Sequence, residues 1–225
     1  MTRSPIIVRC RLGLLGLVVA LAWGCAPAQA QQFLADLAMV RTAGGAVSPA
    51  GKLRVFDNKV RIEVPDFAGG FFLIDGAKPT AYFARPADRT FMDARQSSRL
   101  TRLFVRVDPA DPCRQWQIMA ELAGVAIQNP WRCERIGQET IAGRDTIAFR
   151  ARLPDDREMV GWIDPDLQFP LRIRTEDGVT VTAENIRNEP QAASLFEIPS
   201  NFRKFDPQEL IKRIKQSDVW VDEPK

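Results

Sequence analysis

The feature that most restricts this chain is the alternation of apolar and charged residues between Lys52 and Val64. Written as two extended segments, 52–56 and 59–64, it puts Leu53, Val55, Val60, Ile62 and Val64 on one face. Lys52, Arg54, Lys59, Arg61 and Glu63 fall on the other. A period of two belongs to strands, because a helix returns its apolar stripe every 3.6 residues. Asp57-Asn58 between the segments supplies a two-residue hairpin turn. The chain must therefore build sheet that is dry on one side and wet on the other.

The same pattern recurs on both sides of that hairpin. Segments 71–75 and 80–85 flank Gly76-Ala77-Lys78-Pro79, and Thr90–Asp93 follows a turn at Pro86–Asp88, so Leu53–Asp93 reads as a five-strand meander. Gly44–Gly51 reads as a loop of small residues, while the spacing of Leu34, Leu37 and Ala38 suits either a strand or a short helix over 34–42. Beyond Trp131 strands return at 137–141, 146–153, 158–163, 171–175 and 179–187. Their connections are Ala142–Asp145, a stretch carrying Pro165 and Pro170, and Glu176-Asp177-Gly178. Two helices interrupt the pattern. Asp111 caps the first, Pro112 opens it, and it runs from Cys113 to Ala123 before Gly124, with Trp116, Met119, Ala120 and Ala123 on one stripe broadened by Ile118 and Leu122. Asp206 and Pro207 start the second, which carries Leu210, Ile211 and Ile214 on one side. Trp220, near the chain end, is expected to dock somewhere. The expected fold class is mainly β (α+β).

Residues 1–30 read as a signal peptide. Arg3, Arg9 and Arg11 precede an apolar run from Leu12 to Trp23, too short to span a bilayer as a helix, and Ala28-Gln29-Ala30 matches a peptidase site. The alternative is a lipid anchor at Cys25, whose box Leu21-Ala22-Trp23-Gly24 is spoiled by the bulky Trp23. The expected location is the periplasm, with 31–225 forming a single domain. The whole chain carries 31 basic and 28 acidic residues. Removing the three leader arginines leaves 28 against 28, a net charge of zero. Nucleic-acid binding thereby loses its electrostatic basis.

Cys113 and Cys133 are the even pair left in an oxidising compartment, and a disulfide between them is expected. It would tie the first helix to the strand beginning near Trp131. Histidine is absent from the sequence. That excludes Ser-His-Asp and Cys-His nucleophile systems and removes the commonest zinc ligand. No enzyme activity, cofactor or metal site is expected.

Three stretches resemble the periplasmic lipoprotein-carrier (LolA/LolB-like) superfamily. They are the meander GKLRVFDNKVRIEVPDFAGGFFLIDGAKPTAYFARPADRTFMD (51–93), the cysteine-led hairpin CERIGQETIAGRDTIAFRARLP (133–154), and VGWIDPDLQFPLRIRTEDGVTVTAENI (160–186) followed by SLFEIPSNFRKFD (194–206). The resemblance implies a curved antiparallel sheet forming a half-open barrel, with helices covering a concave side able to hold acyl chains. The residues by which carriers hold a lipoprotein have no match here, and cargo transport is not carried over.

Other chemistry is weighed against plain structure. Glu134, Glu139, Asp145 and Glu158 could be imagined as a glycosidase-like pair, yet alternation turns most of them to water. Asp155-Asp156 and Asp164-Pro165-Asp166 lack the register of a calcium loop and read as polar turns. The aromatic cluster is the sharper candidate. Phe71, Phe72, Tyr82, Phe83, Phe91, Met92 and Trp162 fall on neighbouring strands under the helix of Trp116, as core packing or as the wall of an apolar cavity. Phe71-Phe72-Leu73-Ile74 requires cover on both faces of its strand. The expected function is an exported, non-enzymatic protein binding an apolar or lipidated ligand, such as a lipoprotein acyl chain, in a half-barrel cavity. The alternative is an envelope interaction or scaffold module with a packed core and a protein partner.

Overall fold

The structure is a computed structural model that describes residues 31–65, 67, 69–96, 100–125, 129–153 and 157–206. Its elements are β1 (Gln32–Val40), β2 (Val47–Phe56), β3 (Lys59–Glu63), β4 (Phe71–Asp75), β5 (Thr80–Arg85), β6 (Thr90–Asp93), α1 (Leu100–Leu103), α2 (Pro112–Leu122), β7 (Arg132–Ile141), β8 (Arg144–Arg152), β9 (Glu158–Asp164), β10 (Phe169–Arg174), β11 (Thr180–Arg187) and β12 (Arg203–Lys204). The leader, Cys25, Asp155-Asp156, the C-terminal helix and Trp220 lie outside the described residues.

All twelve strands join one sheet in the order β12-β6-β5-β4-β3-β2-β1-β11-β10-β9-β8-β7. Among the described residues only the β12–β6 pairing is parallel. The sheet curves into a half-open barrel without closing, since β7 and β12 stand at opposite edges. The meander expected from Leu53 to Asp93 is β2 to β6, each strand antiparallel to the next. Leu53, Val55, Val60 and Ile62 are fully buried on the concave side. Asp57, at the expected turn, takes the left-handed φ of 55° that a two-residue hairpin favours.

Several boundaries differ from the expectation, each for a physical reason. Of segment 34–42, residues up to Val40 are strand: β1 is sandwiched between β2 and β11, and pairing on both sides satisfies its backbone. The loop expected over Gly44–Gly51 shrinks, because β2 begins at Val47 and pairs back to Val40. Gly51 lies inside β2 beside the shift in its register with β1, and it must be glycine for a steric reason: its φ is 130°, and a Cβ there would lie 2.0 Å from the Glu63 carbonyl oxygen. The four-residue turn 142–145 tightens to Ala142-Gly143, with φ of 49° and 76° matching the twist of the flanking strands. β10 takes in Pro170, which lacks an N–H and sits where the register with β9 shifts.

The concave side is filled rather than hollow along most of its length. Phe33 meets Phe169 edge-on at 5.3 Å, Phe104 approaches Phe169 at 6.4 Å, and Phe72 leans on Phe83 at 4.9 Å. Helix α2 closes this face, capped by Asp111, whose carboxylate accepts from the Arg114 N–H. The disulfide joins Cys113 to Cys133, their Cα atoms 5.6 Å apart, so the first turn of α2 is stapled to β7.

The convex side of β4–β6 is covered as well. Residues 189–206 run across it as a strap that ends in β12. Ile198 and Phe202, with Phe91, pack on the buried Phe71, Leu73 and Ala84. Phe196 stacks on Phe56 at 5.6 Å, and Arg61 donates to the Leu195 carbonyl. This strap supplies the second cover that Phe71-Phe72-Leu73-Ile74 demanded.

Closing the 20-residue separation between the cysteines constrains the unfolded chain by roughly 3 kcal/mol in the entropic account. Replacing both by serine should lower the unfolding free energy by about that amount, read from urea denaturation, while far-ultraviolet circular dichroism keeps its β shape. A variant as stable as the parent would show that the bridge restrains nothing.

Candidate functional site

The register divides the eight predicted site residues between two faces. Phe72, Phe83 and Met92 form one cross-strand row on the concave side, and Trp116 points down from α2 into the same core. Phe71, Tyr82 and Phe91 sit on the convex side. There the Arg61 guanidinium lies 3.5 Å over the Phe71 ring, and Tyr82 meets Phe91 edge-on at 5.7 Å. Trp162 alternates with Gly161, which faces α2, and so points away from the helix with Arg172 and Arg174 over its ring. Adjacent residues on a strand cannot share a face. The pairs 71/72, 82/83 and 91/92 therefore never form one wall.

What the structure gathers instead is a small apolar cavity beneath α2, of about 80 Å³. Its apolar walls include Leu103, Trp116, Ala120, Trp131, Leu153 and Met159, and its rim carries Arg102, Arg157, Glu158 and Glu176. Trp116 is the one predicted residue that lines it. The indole of Trp116 is fully buried and donates to the Leu103 carbonyl at 3.0 Å. It rests on Gly161, where a Cβ would come within 2.5 Å of the ring. Trp131 enters from the segment before β7, held by its backbone N–H donating to Gln117 of α2 at 3.1 Å. Trp131, Leu153 and Met159 were missed because they come from three separate segments; the one local signal was an aromatic residue at a strand start beside the bridged Cys133.

A second, larger depression of about 850 Å³ opens beside β1, β2 and the end of β3. Leu37, Val47, Pro49 and Val64 share it with the charged Asp36, Lys52, Glu63 and Glu184. It is open and mixed in character, and its Arg61–Glu63 pair is already made at 3.0 Å. Burial draws the Arg61 guanidinium below its ordinary pKa, and the hydrogen bond to Glu63 opposes that shift.

The acidic residues weighed for catalysis are taken up by structure. Glu139 binds Arg172 at 2.6 Å, Glu158 binds Arg152 at 2.8 Å, Glu134 approaches Arg150 at 3.8 Å, and Asp145 accepts from Thr140 at 3.0 Å. Asp164 is buried beside Arg144, and its carboxylate accepts the backbone N–H groups of Asp166 and Leu167, which makes it the brace of the β9–β10 turn. On the convex face a hydrogen bond from Arg95 holds the Asp93 carboxyl below the usual carboxylate range. Among the described residues no group of three or more Cys, Asp or Glu gathers as a metal site.

No family model matches this sequence, and no curated protein matches it either. Among solved structures, the chain is similar to PNGF-II at TM-score 0.47 and 10% identity, with 86% of this chain and 35% of that one covered. It thus spans about a third of that protein's length. An uncharacterized conserved protein from Thermus thermophilus gives TM-score 0.44 at 13% identity over 78% of this chain and 90% of that one. MucB in complex with MucA(peri) gives 0.40 at 14% identity, over 76% and 55%. These are distant likenesses, and no functional assignment rests on them.

Gly161→Ala is expected to destabilise the protein by about 1–3 kcal/mol, because the new methyl group must displace the rigid indole of Trp116. Denaturant titration measures this. The cost of Gly161→Ala should be smaller in a Trp116→Leu background than in the parent, and an equal cost in both would mean the indole is not what the methyl group meets.

Proposed function

We propose that this chain is an exported, non-enzymatic protein of the periplasm that binds an apolar or lipidated ligand at the cavity beneath α2. The observation that carries the proposal is the character of that cavity: apolar walls drawn from α1, α2, β9 and the segments before β7 and after β8, with a charged rim. Sites that hold small apolar ligands have this arrangement. At about 80 Å³ the space is far below the roughly 300–1,000 Å³ that encloses a drug-sized molecule. It takes the end of a chain, and the rest of the ligand lies along the rim. The row of Phe72, Phe83 and Met92 serves as packed support, not as the binding wall.

Ala120→Leu places a larger side chain in the cavity from the helix. The expected result is at least tenfold weaker binding of a fluorescent fatty-acid probe, with a thermal midpoint within a few degrees of the parent. Undiminished binding in a folded variant would move the ligand elsewhere, and a delipidated parent that takes up no apolar probe would end the proposal.

A second reading, as an envelope interaction module, is favoured by the edge strand β7. It is ten residues long and, among the described residues, pairs with β8 alone, and all of its residues except Cys133 and Ile141 are exposed. A bare edge of this length offers backbone donors and acceptors to an added strand. A photo-crosslinking residue at Gln138 should capture one protein in intact cells if this edge is the working surface, and none if it is not.

A further inference from the structure

The sheet has two edges, and the chain treats them differently. At one edge β6 is covered by β12 of the strap. At the other, β7 pairs with β8 alone among the described residues, and its outward N–H and C=O groups stand open. β7 carries neither lysine nor proline, the residues that commonly blunt such an edge. Ile136, at its middle, is a large apolar side chain left 39% exposed.

The one protecting device in β7 is a bulge. Its register with β8 shifts between Arg135 and Gly137, so Ile136 is an extra residue. That shift moves the alternation by one. Cys133, Arg135 and Gln138 lie opposite Ala151, Phe149 and Ile147, which belong to the core, and so face the concave side. Arg132, Glu134, Gly137 and Glu139 face the convex side. A regular incoming strand has no residue to match Ile136. A second copy of β7 running antiparallel brings the same extra residue to the same place.

Two antiparallel registers between copies match faces on both sides of the bulge. One sets Glu134 opposite Glu139 of the other copy, twice, and like charges directly opposite repel. The other sets Arg132 opposite Glu139 at both ends, Cys133 opposite Gln138, and Arg135 opposite Ile136 beside the two-fold axis. Arg132 makes no ion pair among the described residues. Glu139 holds Arg172 at 2.6 Å through one carboxylate oxygen, and its second oxygen can accept from another guanidinium. The charges of β7 are Arg132, Glu134, Arg135 and Glu139, which cancel. The edge therefore attracts neither an acidic nor a basic strand by net charge, and the pattern it complements is its own, reversed.

We propose that β7 is a homotypic interaction surface, through which two copies of this chain join their sheets by antiparallel pairing with Arg132 of each copy bonded to Glu139 of the other. This rests on the reading of β7 as a working edge and names its occupant. It is independent of what the cavity beneath α2 binds.

The test is a charge swap read by sedimentation of the full-length oxidised protein. The parent should form dimers. Arg132→Glu and Glu139→Arg should each associate roughly tenfold more weakly or worse, because both cross-strand pairs become like-charged. An equimolar mixture of the two variants should recover the dimer, since every opposing pair between them is again unlike. A parent that stays monomeric at every concentration, or folded variants that dimerise as well as the parent, would overturn the proposal. So would folded single variants whose mixture stays monomeric. A photo-crosslinking residue at Gln138 covers the case in which Glu139→Arg does not fold for want of its bond to Arg172. A product of twice the chain mass supports the pairing. A product with a different protein overturns it and leaves β7 as a working edge, whereas no product at all removes that reading together with it.

Discussion

The indole of Trp116 occupies the room that a side chain would need at Gly161, and the architecture of the concave side depends on that contact. A helix laid across a curved sheet normally stands off by the length of two interdigitating side chains. Here one partner has no side chain, so the largest residue of α2 reaches the backbone of β9 and then donates its N–H to Leu103. That single anchor positions α1 relative to α2. The disulfide restrains the other dimension, joining the first turn of α2 to β7. Together the two restraints hold α2 over one end of the sheet and leave a gap where the walls do not quite meet.

The remainder of the interior is closed by ordinary packing. Phe33, Phe104 and Phe169 fill the centre of the curve, and Leu37, Leu53, Ile62 and Leu171 complete it with almost no exposed area. Space is therefore not spread evenly under the helix. It remains near Trp131, Leu153 and Met159, where three segments from different parts of the chain converge. A half-barrel shape permits a large cavity; whether one exists is decided by how big the inward residues are. In this protein they are big enough to fill most of it.

Much of the architecture was legible in the chain. The hairpin at Asp57-Asn58, the five-strand meander, the Asp111-Pro112 start of α2 and the bridge between Cys113 and Cys133 all rest on local or compositional signals, and the structure carries each of them. The site was far less legible. Seven large residues were grouped on strands expected to be neighbours beneath Trp116, yet β9, which carries Trp162, is not adjacent to β4, β5 or β6, and Phe71, Tyr82, Phe91 and Trp162 face the convex side or point away from α2. Period-two alternation already forbids Phe71 and Phe72 from lining one wall. The cover over the outward member was the unexpected part: it is the extended strap carrying Ile198 and Phe202, a segment whose own pattern announces neither strand nor helix.

By itself the sequence determined which segments extend, where most of them turn and which side of each hairpin stays dry, because these follow from side-chain alternation and turn chemistry within a few residues. Only the tertiary structure decided that β1 lies between β2 and β11, that residues 189–206 cross the outside of the sheet, and that the indole N–H of Trp131 is left without an acceptor among the described residues. Those outcomes depend on which distant segments come to lie within hydrogen-bonding or van der Waals range of one another. Such distances are properties of the folded volume, and no short window of residues contains them.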